Sequence, residues 1–184
     1  KYYLFDGNAY WRVMVFIPDT ITREDVSPEG SYAAGEAFGD FQSMLADIPV
    51  EMGETIKDFH NMEFRLQQLH DAVKENKAGR LGGVKDLLDE IESHAEKMTF
   101  AEQLHREGNL PKRICHCDTK VNNMLFDANT GLPLCVIDLD TVMPSFIFSD
   151  FGDFLRYAAN ASAEDEPDLS KVYFRMDIFE AFTK

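Results

Sequence analysis

RICHCDTKVNNMLFDANTGLPLCVID, residues 113–138, is the stretch on which the reading of this chain turns. Arg113-Ile114-Cys115 is a short β-prone run leading into His116. Asn123 to Asp127 is a second such run and Leu134 to Asp138 a third. Asn129-Thr130-Gly131 between the last two is a turn signal, so they read as a β-hairpin. Pairing strands 123–127 and 134–138 brings Asn123 and Asp138 to the same open end. Upstream, Asp118 lies two residues after His116 and five before Asn123. The apolar run Leu134 to Ile137 ends in Asp138, so that carboxylate emerges where the strand leaves the core.

Outward from this stretch the grammar is mostly helical. From Ser31 to Asp47, Ala34, Ala37, Phe38, Phe41 and Leu45 recur at three- and four-residue spacing, one face of an amphipathic helix. Met62, Leu66, Leu69 and Val73 mark a second helix over Met62–Glu75. Leu87, Leu88, Ile91, Ala95, Phe100 and Leu104 mark a third from about Val84 to Glu107, ended by Gly108 and Pro111. Gly79, Gly82 and Gly83 separate the two. After Ser149, the spacing of Phe151, Phe154, Leu155 and Ala158 predicts another helix. Asp165-Glu166-Pro167-Asp168 reads as a loop, with a final helix from near Leu169. At the other end, residues 2–5 and 10–17 flank the turn signal Asp6-Gly7-Asn8 and read as a hairpin that Pro18 closes. The polar stretch from Asp19 to about Ser31 shows no regular pattern. There is no internal repeat and no low-complexity segment.

Composition sets the frame. The 184 residues are 45% hydrophobic and include 15 Phe, enough for a packed core. The formal charge of −15 gives a surface that repels nucleic-acid backbones and anionic membranes. No apolar run approaches the roughly 20 residues of a membrane span. Three cysteines form no disulfide framework, so a reducing, cytoplasmic setting is expected. The chain starts at Lys1 and stops at Lys184 within a helical pattern, which predicts a fragment of a longer protein.

Two carboxylates and an amide in this arrangement suit phosphoryl transfer. That reaction asks for an acceptor hydroxyl held in line with the γ-phosphate and for charge neutralised on the phosphates. Asp118, on a tight loop, is the candidate base for the hydroxyl proton. Asn123 and Asp138 are hard oxygen ligands converging on one point, as Mg²⁺ requires. Asp140 is a further candidate metal ligand, with capping of the next turn as its alternative. His116 is read as a buried imidazole bracing the loop, and Lys120 and Asn122 as contacts to substrate or as loop support. A zinc site built on Cys115, His116, Cys117 and Cys135 is a weaker reading, because structural zinc sites favour a wider cysteine spacing.

The stretch from His116 to Asn160 resembles the aminoglycoside-phosphotransferase-like kinases, which share the protein-kinase fold. Two departures stand out. Cys117 replaces the usual Gly after the His, and Thr119-Lys120-Val121-Asn122 replaces a Leu-His-Pro-Gly type of run. With these, residues 118–127, 135–144 and 149–153 resemble the N-acetylhexosamine 1-kinases, as do Asp58-Phe59-His60-Asn61 and Ala163 to Lys171.

The resemblance implies an α+β, protein-kinase-like fold. Residues 21–184 would form a mostly helical C-terminal lobe carrying the catalytic β-hairpin, and residues 1–20 the last strands and hinge of a truncated N-terminal lobe. It implies transfer of the ATP γ-phosphate, with Mg²⁺, to the anomeric hydroxyl of GlcNAc or GalNAc. Phe16 and Ile17 would bind adenine through hinge backbone groups. Asp150 would brace the catalytic loop, and Arg156 and Tyr157 would reach the sugar. The upper-lobe phosphate-gripping residues have no counterpart here, so the chain alone is expected to transfer phosphate poorly. Alternatives are a kinase of the same fold for an aminoglycoside, homoserine or choline, and a non-catalytic kinase-like binding module.

Overall fold

The computed structural model describes residues 3–184; Tyr2, part of the predicted hairpin, lies outside them. The described residues form a mixed α/β structure of five helices and three small antiparallel sheets. β1 (Leu4–Phe5) pairs with β2 (Tyr10–Trp11) around the Asp6 turn, whose carboxylate accepts the N–H groups of Asn8 and Ala9 and the indole N–H of Trp11. The predicted second strand is far shorter than 10–17. Val13, Met14, Val15 and Phe16 are exposed and belong to no strand.

β3 (Thr20–Ile21) was not foreseen in the polar stretch. It adds an edge to β5 (Met124–Asp127), which pairs on its other side with β6 (Pro133–Val136). β4 (Arg113–Cys115) pairs with β7 (Met143–Ser145), a three-residue strand containing Pro144.

α1 (Pro28–Met44) begins three residues before the predicted helix. The signal is Ser27-Pro28: the Ser27 hydroxyl caps the first turn by accepting the Gly30 N–H, and Pro28 starts the helix with its fixed φ. α2 (Met62–Glu75) has the predicted bounds, capped by Asn61 and closed by Asn76 in the left-handed conformation. Its stripe of Met62, Leu66, Leu69 and Val73 is half-buried and meets α3 (Lys85–Arg106). Leu87 and Phe100, assigned to the α3 stripe, are exposed; Leu88, Ile91, Ala95 and Met98 carry the contact. The α2–α3 pair lies against the body with little deep burial of its own.

The core sits between α1, the β5–β6 hairpin, α4 (Ile147–Ala158) and α5 (Met176–Phe182). Ala34, Phe38, Val121, Met124, Phe126, Phe154, Leu155 and Ile178 are buried there. The final helix is Met176–Phe182 and does not start at Leu169. Asp168 caps only a single 3-10 turn over Leu169–Lys171, after which the chain returns in extended form. α5 is bound tightly to α1. The Ser31 hydroxyl donates to the Ile178 carbonyl at 2.9 Å, and Phe182 stacks on Phe154 with centroids 3.9 Å apart. Gly35 permits this approach: a Cβ there would sit 2.8 Å from the Phe182 carbonyl oxygen. Among the described residues no helix is long and apolar enough to cross a membrane.

Candidate active site

The loop between β4 and β5 is held from three sides, and the sequence explains each. His116 is fully buried, and its ring meets Phe38 and Phe41 of α1 edge-on. Its Nδ1 accepts the Asp118 N–H at 3.3 Å, which leaves the Nε2–H to donate to the Ile137 carbonyl at 2.8 Å. The imidazole therefore ties the loop to the end of β6. Thr141 adds a bond from its hydroxyl to the His116 carbonyl at 2.8 Å.

α4 clasps the loop from below. Asp150, 3% exposed, accepts the His116 N–H through Oδ2 at 2.9 Å and the Cys117 N–H through Oδ1 at 2.8 Å. One turn on, Asp153 accepts the Thr119 N–H at 2.8 Å, and the Thr119 hydroxyl donates to the Asp150 carbonyl at 2.7 Å. The i, i+3 spacing puts both carboxylates on one helix face. Asp150 is the residue for which the family resemblance implies contact with this loop. Asp153 was missed, although that spacing was its signal. Cys117 sits at φ +65°, a conformation unfavourable for a residue with a Cβ, so the loop needs these anchors.

The loop presents Asp118 half-buried. The Asn123 amide nitrogen donates to both the Asp118 carbonyl and its Oδ2, each at 2.9 Å. Lys120 Nζ lies 3.7 Å from the other carboxylate oxygen, Oδ1, close enough to attract but too far to bond. One carboxylate oxygen is thus fixed and the other is open to a hydroxyl. Fixing the Asn123 nitrogen also leaves its Oδ1 as the available acceptor. Asn123 closes the 3-10 turn Val121–Asn123 rather than opening the strand, and its carbonyl accepts the Ile137 N–H at 2.9 Å. Asp138 follows directly, one residue beyond that pair, at φ +58° and exposed. The left-handed turn swings the chain out of the sheet there. The hairpin brings Asn123 and Asp138 to one end, as the spacing predicts.

The sequence model of the phosphotransferase enzyme family (APH) matches residues 3–181. The chain belongs to this family. A phosphotransferase of this kind is a small-molecule kinase, and the family generally uses ATP with Mg²⁺.

The oxygen donors of this phosphotransferase suit such a metal. The Asp138 carboxylate makes no hydrogen bond or ion pair among the described residues, and the Asn123 backbone pairs with Ile137, the residue just before it. Two protein ligands are enough for Mg²⁺, which keeps water and takes phosphate oxygens for the rest of its shell. Asp140 differs. It is exposed on the 3-10 turn Leu139–Thr141, and its carboxylate is engaged by the Arg12 guanidinium from the segment after β2.

The other predicted contacts are dispersed. Phe16 is 83% exposed, and the Ile17 carbonyl already accepts the Thr20 hydroxyl at 2.9 Å. Arg156 is held between Asp153 and Glu164 and borders a cavity of about 450 Å³ walled by Phe59, Met62, Phe146 and Phe148. His60 lines the same cavity with its Nδ1 buried and unpartnered, and burial holds its pKa below the ordinary imidazole value. Tyr157 faces another cleft. Its hydroxyl donates to Glu24 at 2.7 Å, which pushes its pKa up to about 12. The same Glu24 oxygen takes the Asn122 amide at 3.4 Å, so the stretch before α1 is stitched to the loop. Glu24 went unnoticed in the sequence because its neighbours carry no periodicity.

Cys115 and Cys117 pack with Met143 and Phe59 in a small apolar cluster. Burial pushes both thiols up, Cys117 to about 12 and Cys115 higher. Cys135 lies apart on β6, half-buried. Thiol titration of the native protein at about pH 8 should therefore show one fast-reacting group, Cys135, with the other two appearing on unfolding. Rapid labelling of all three in the folded state would contradict this packing.

Proposed function

We propose that this phosphotransferase phosphorylates the anomeric hydroxyl of an N-acetylhexosamine, GlcNAc or GalNAc, with ATP as donor. The observation that carries the chemistry is the asymmetry of Asp118, one oxygen fixed by Asn123 and the other free. In the proposed reaction that free oxygen accepts the acceptor hydroxyl's proton. Asn123 Oδ1 and Asp138 would hold Mg²⁺, which supplies charge neutralisation on the phosphates. Asp150, Asp153 and His116 keep the loop from shifting, which matters because in-line transfer tolerates little misplacement. The sugar assignment is supported by the run from Asp118 to Pro144, whose residues resemble the hexosamine kinases. In the same reading Phe16 and Ile17 meet the adenine, and Arg156 and Tyr157 approach the acceptor.

One observation favours a different acceptor. The cleft beside Tyr157, about 720 Å³, is bordered by Glu24, Asp25, Glu164 and Asp165, with Arg175 as the one lining cation among the described residues. Such a rim suits a cationic molecule such as choline or an aminoglycoside. The two readings separate in a radiolabelled-ATP assay on the full-length protein with GlcNAc, GalNAc, homoserine, choline and an aminoglycoside. Transfer to the acetamido sugars in preference to the others is the expected result. Preference for a cationic acceptor would transfer the assignment to the second reading. Absence of transfer to every acceptor would leave a binding module and refute both.

A further inference from the structure

We infer that Gln42, on α1, is a positioning residue for the phosphoryl-transfer loop: its amide fixes the Asp150 carboxylate and, through it, the line of Asp118. The inference rests on the proposed role of Asp118 as base.

Three donors meet on Asp150. Two are the N–H groups of His116 and Cys117, and the third is Gln42 Nε2, 2.8 Å from the same Oδ2 that takes the His116 N–H. The terminal torsion of an aspartate is broad and weakly stepped, so its plane is set by its partners. The two loop donors cannot set it alone, because they are the groups being positioned. Gln42 supplies a reference from a different element. α1 is well placed for this, being buried against α5 and the β5–β6 hairpin. Gln42 also lies one helical turn after Phe38, one of the two rings against His116. The rings provide apolar contact that other side chains of similar shape could give. The amide provides direction.

The consequence reaches Asp118 by a short route. Cys117 is held at φ +65° with Asp150 as the partner of its N–H, and Asp118 is the next residue. A rotation of the Asp150 carboxylate displaces that N–H and tilts the Asp118 side chain one peptide away. Gln42 is neutral, so it orients the carboxylate without adding charge beside the reacting centre. The ionisable groups whose charges couple to Asp150 are Cys115 and Cys117 from the β4 side and His60 from the segment before α2. His116 touches it through its backbone, and Asp153 neighbours it on α4.

The test compares Gln42→Leu and Gln42→Glu in the full-length protein. Gln42→Leu should lower kcat by roughly 10- to 100-fold, the scale of a sub-ångström to ångström misplacement. KM for ATP should stay within about twofold, because the nucleotide side is untouched. Gln42→Glu is the rescue variant. When protonated, the introduced carboxyl donates to Asp150 as the amide does. When ionised, it repels it. The ratio of its kcat to that of the parent should therefore be near one at the acid end and fall as pH rises between about pH 5 and 8. The Gln42→Leu ratio should be flat over the same range.

Amide hydrogen exchange gives a readout that needs no acceptor. Residues 116–119 should exchange faster in Gln42→Leu while α2 and α3 keep parental rates. Parental kcat and parental exchange in Gln42→Leu would overturn the inference, as would a flat ratio for Gln42→Glu. If the parent phosphorylates none of the acceptors yet exchange at 116–119 rises in Gln42→Leu, the positioning role stands and the assigned reaction falls.

Discussion

Asp118→Asn should reduce turnover by roughly 10²- to 10⁴-fold, the usual contribution of a positioned general base. The substitution is close to isosteric, so the effect is chemical. The new side-chain oxygen can occupy the place of Oδ2 and accept the Asn123 amide as before. The new amide nitrogen then falls at the place of Oδ1, facing the Lys120 ammonium, and cannot take a proton. Asn123 Oδ1 and Asp138 are unchanged, so Mg²⁺–ATP binding measured by calorimetry should persist with Kd within a few-fold of the parent. Steady-state kinetics with the best acceptor then isolates the chemical step. Turnover equal to that of the parent would refute Asp118 as base.

Asp150→Ala should damage both stability and activity. It removes the acceptor of two buried loop N–H groups and of the Gln42 amide at one stroke. Each buried donor left without a partner costs about 1–3 kcal/mol, and water entering the space left by the side chain recovers part of this. A net loss of about 3 kcal/mol is expected, which for a chain of this size lowers Tm by about 6–12 °C. Cys117 has reason to leave its left-handed conformation once its anchor is gone. Turnover should fall even at temperatures where the protein is fully folded. Thermal melts and kinetics on the same preparation check the two parts. A variant with parental Tm and parental kcat would mean that the loop stands without its brace.

How much of this was legible depends on what each residue answers to. α2 was read with its bounds because its clean four-three-four stripe is a local signal, and the structure adds an Asn cap at its start and an Asn that closes it. The β5–β6 hairpin was read because β-prone runs and turn chemistry are also local. α1 was begun late because weight was put on apolar periodicity, when Ser27-Pro28 carried the start. β3 and β7 were missed for a different reason. Each is two or three residues long and exists because a distant strand supplies the ladder, β5 for Thr20–Ile21 and β4 for Met143–Ser145. The final helix was placed too early because Asp168 does cap a turn, one that does not continue.

The candidate site divides in the same way. His116, Asp118, Asn123 and Asp138 were found through spacing along a short stretch, and the fold brings them to one loop and one hairpin end. Asp153, Gln42 and Glu24 act on that loop from elsewhere in the chain, and nothing near them announces it. Asp140 shows the opposite limit. Its position beside Asp138 suggested a shared role, and only the fold reveals Arg12 as its partner.

The missing methyl of Gly35 has a consequence for how the protein is made. The close seat it provides for Phe182, and the Ser31 bond to Ile178 across 147 residues, tie together two elements far apart in the chain. A core closed by such distant partners is slow to assemble, because much of the chain must be ordered before the contact forms. During synthesis α1 emerges long before α5 exists. Until α5 leaves the ribosome, the apolar face bearing Ala34 and Phe38 lacks its cover, and the platform under the loop between β4 and β5 stays incomplete.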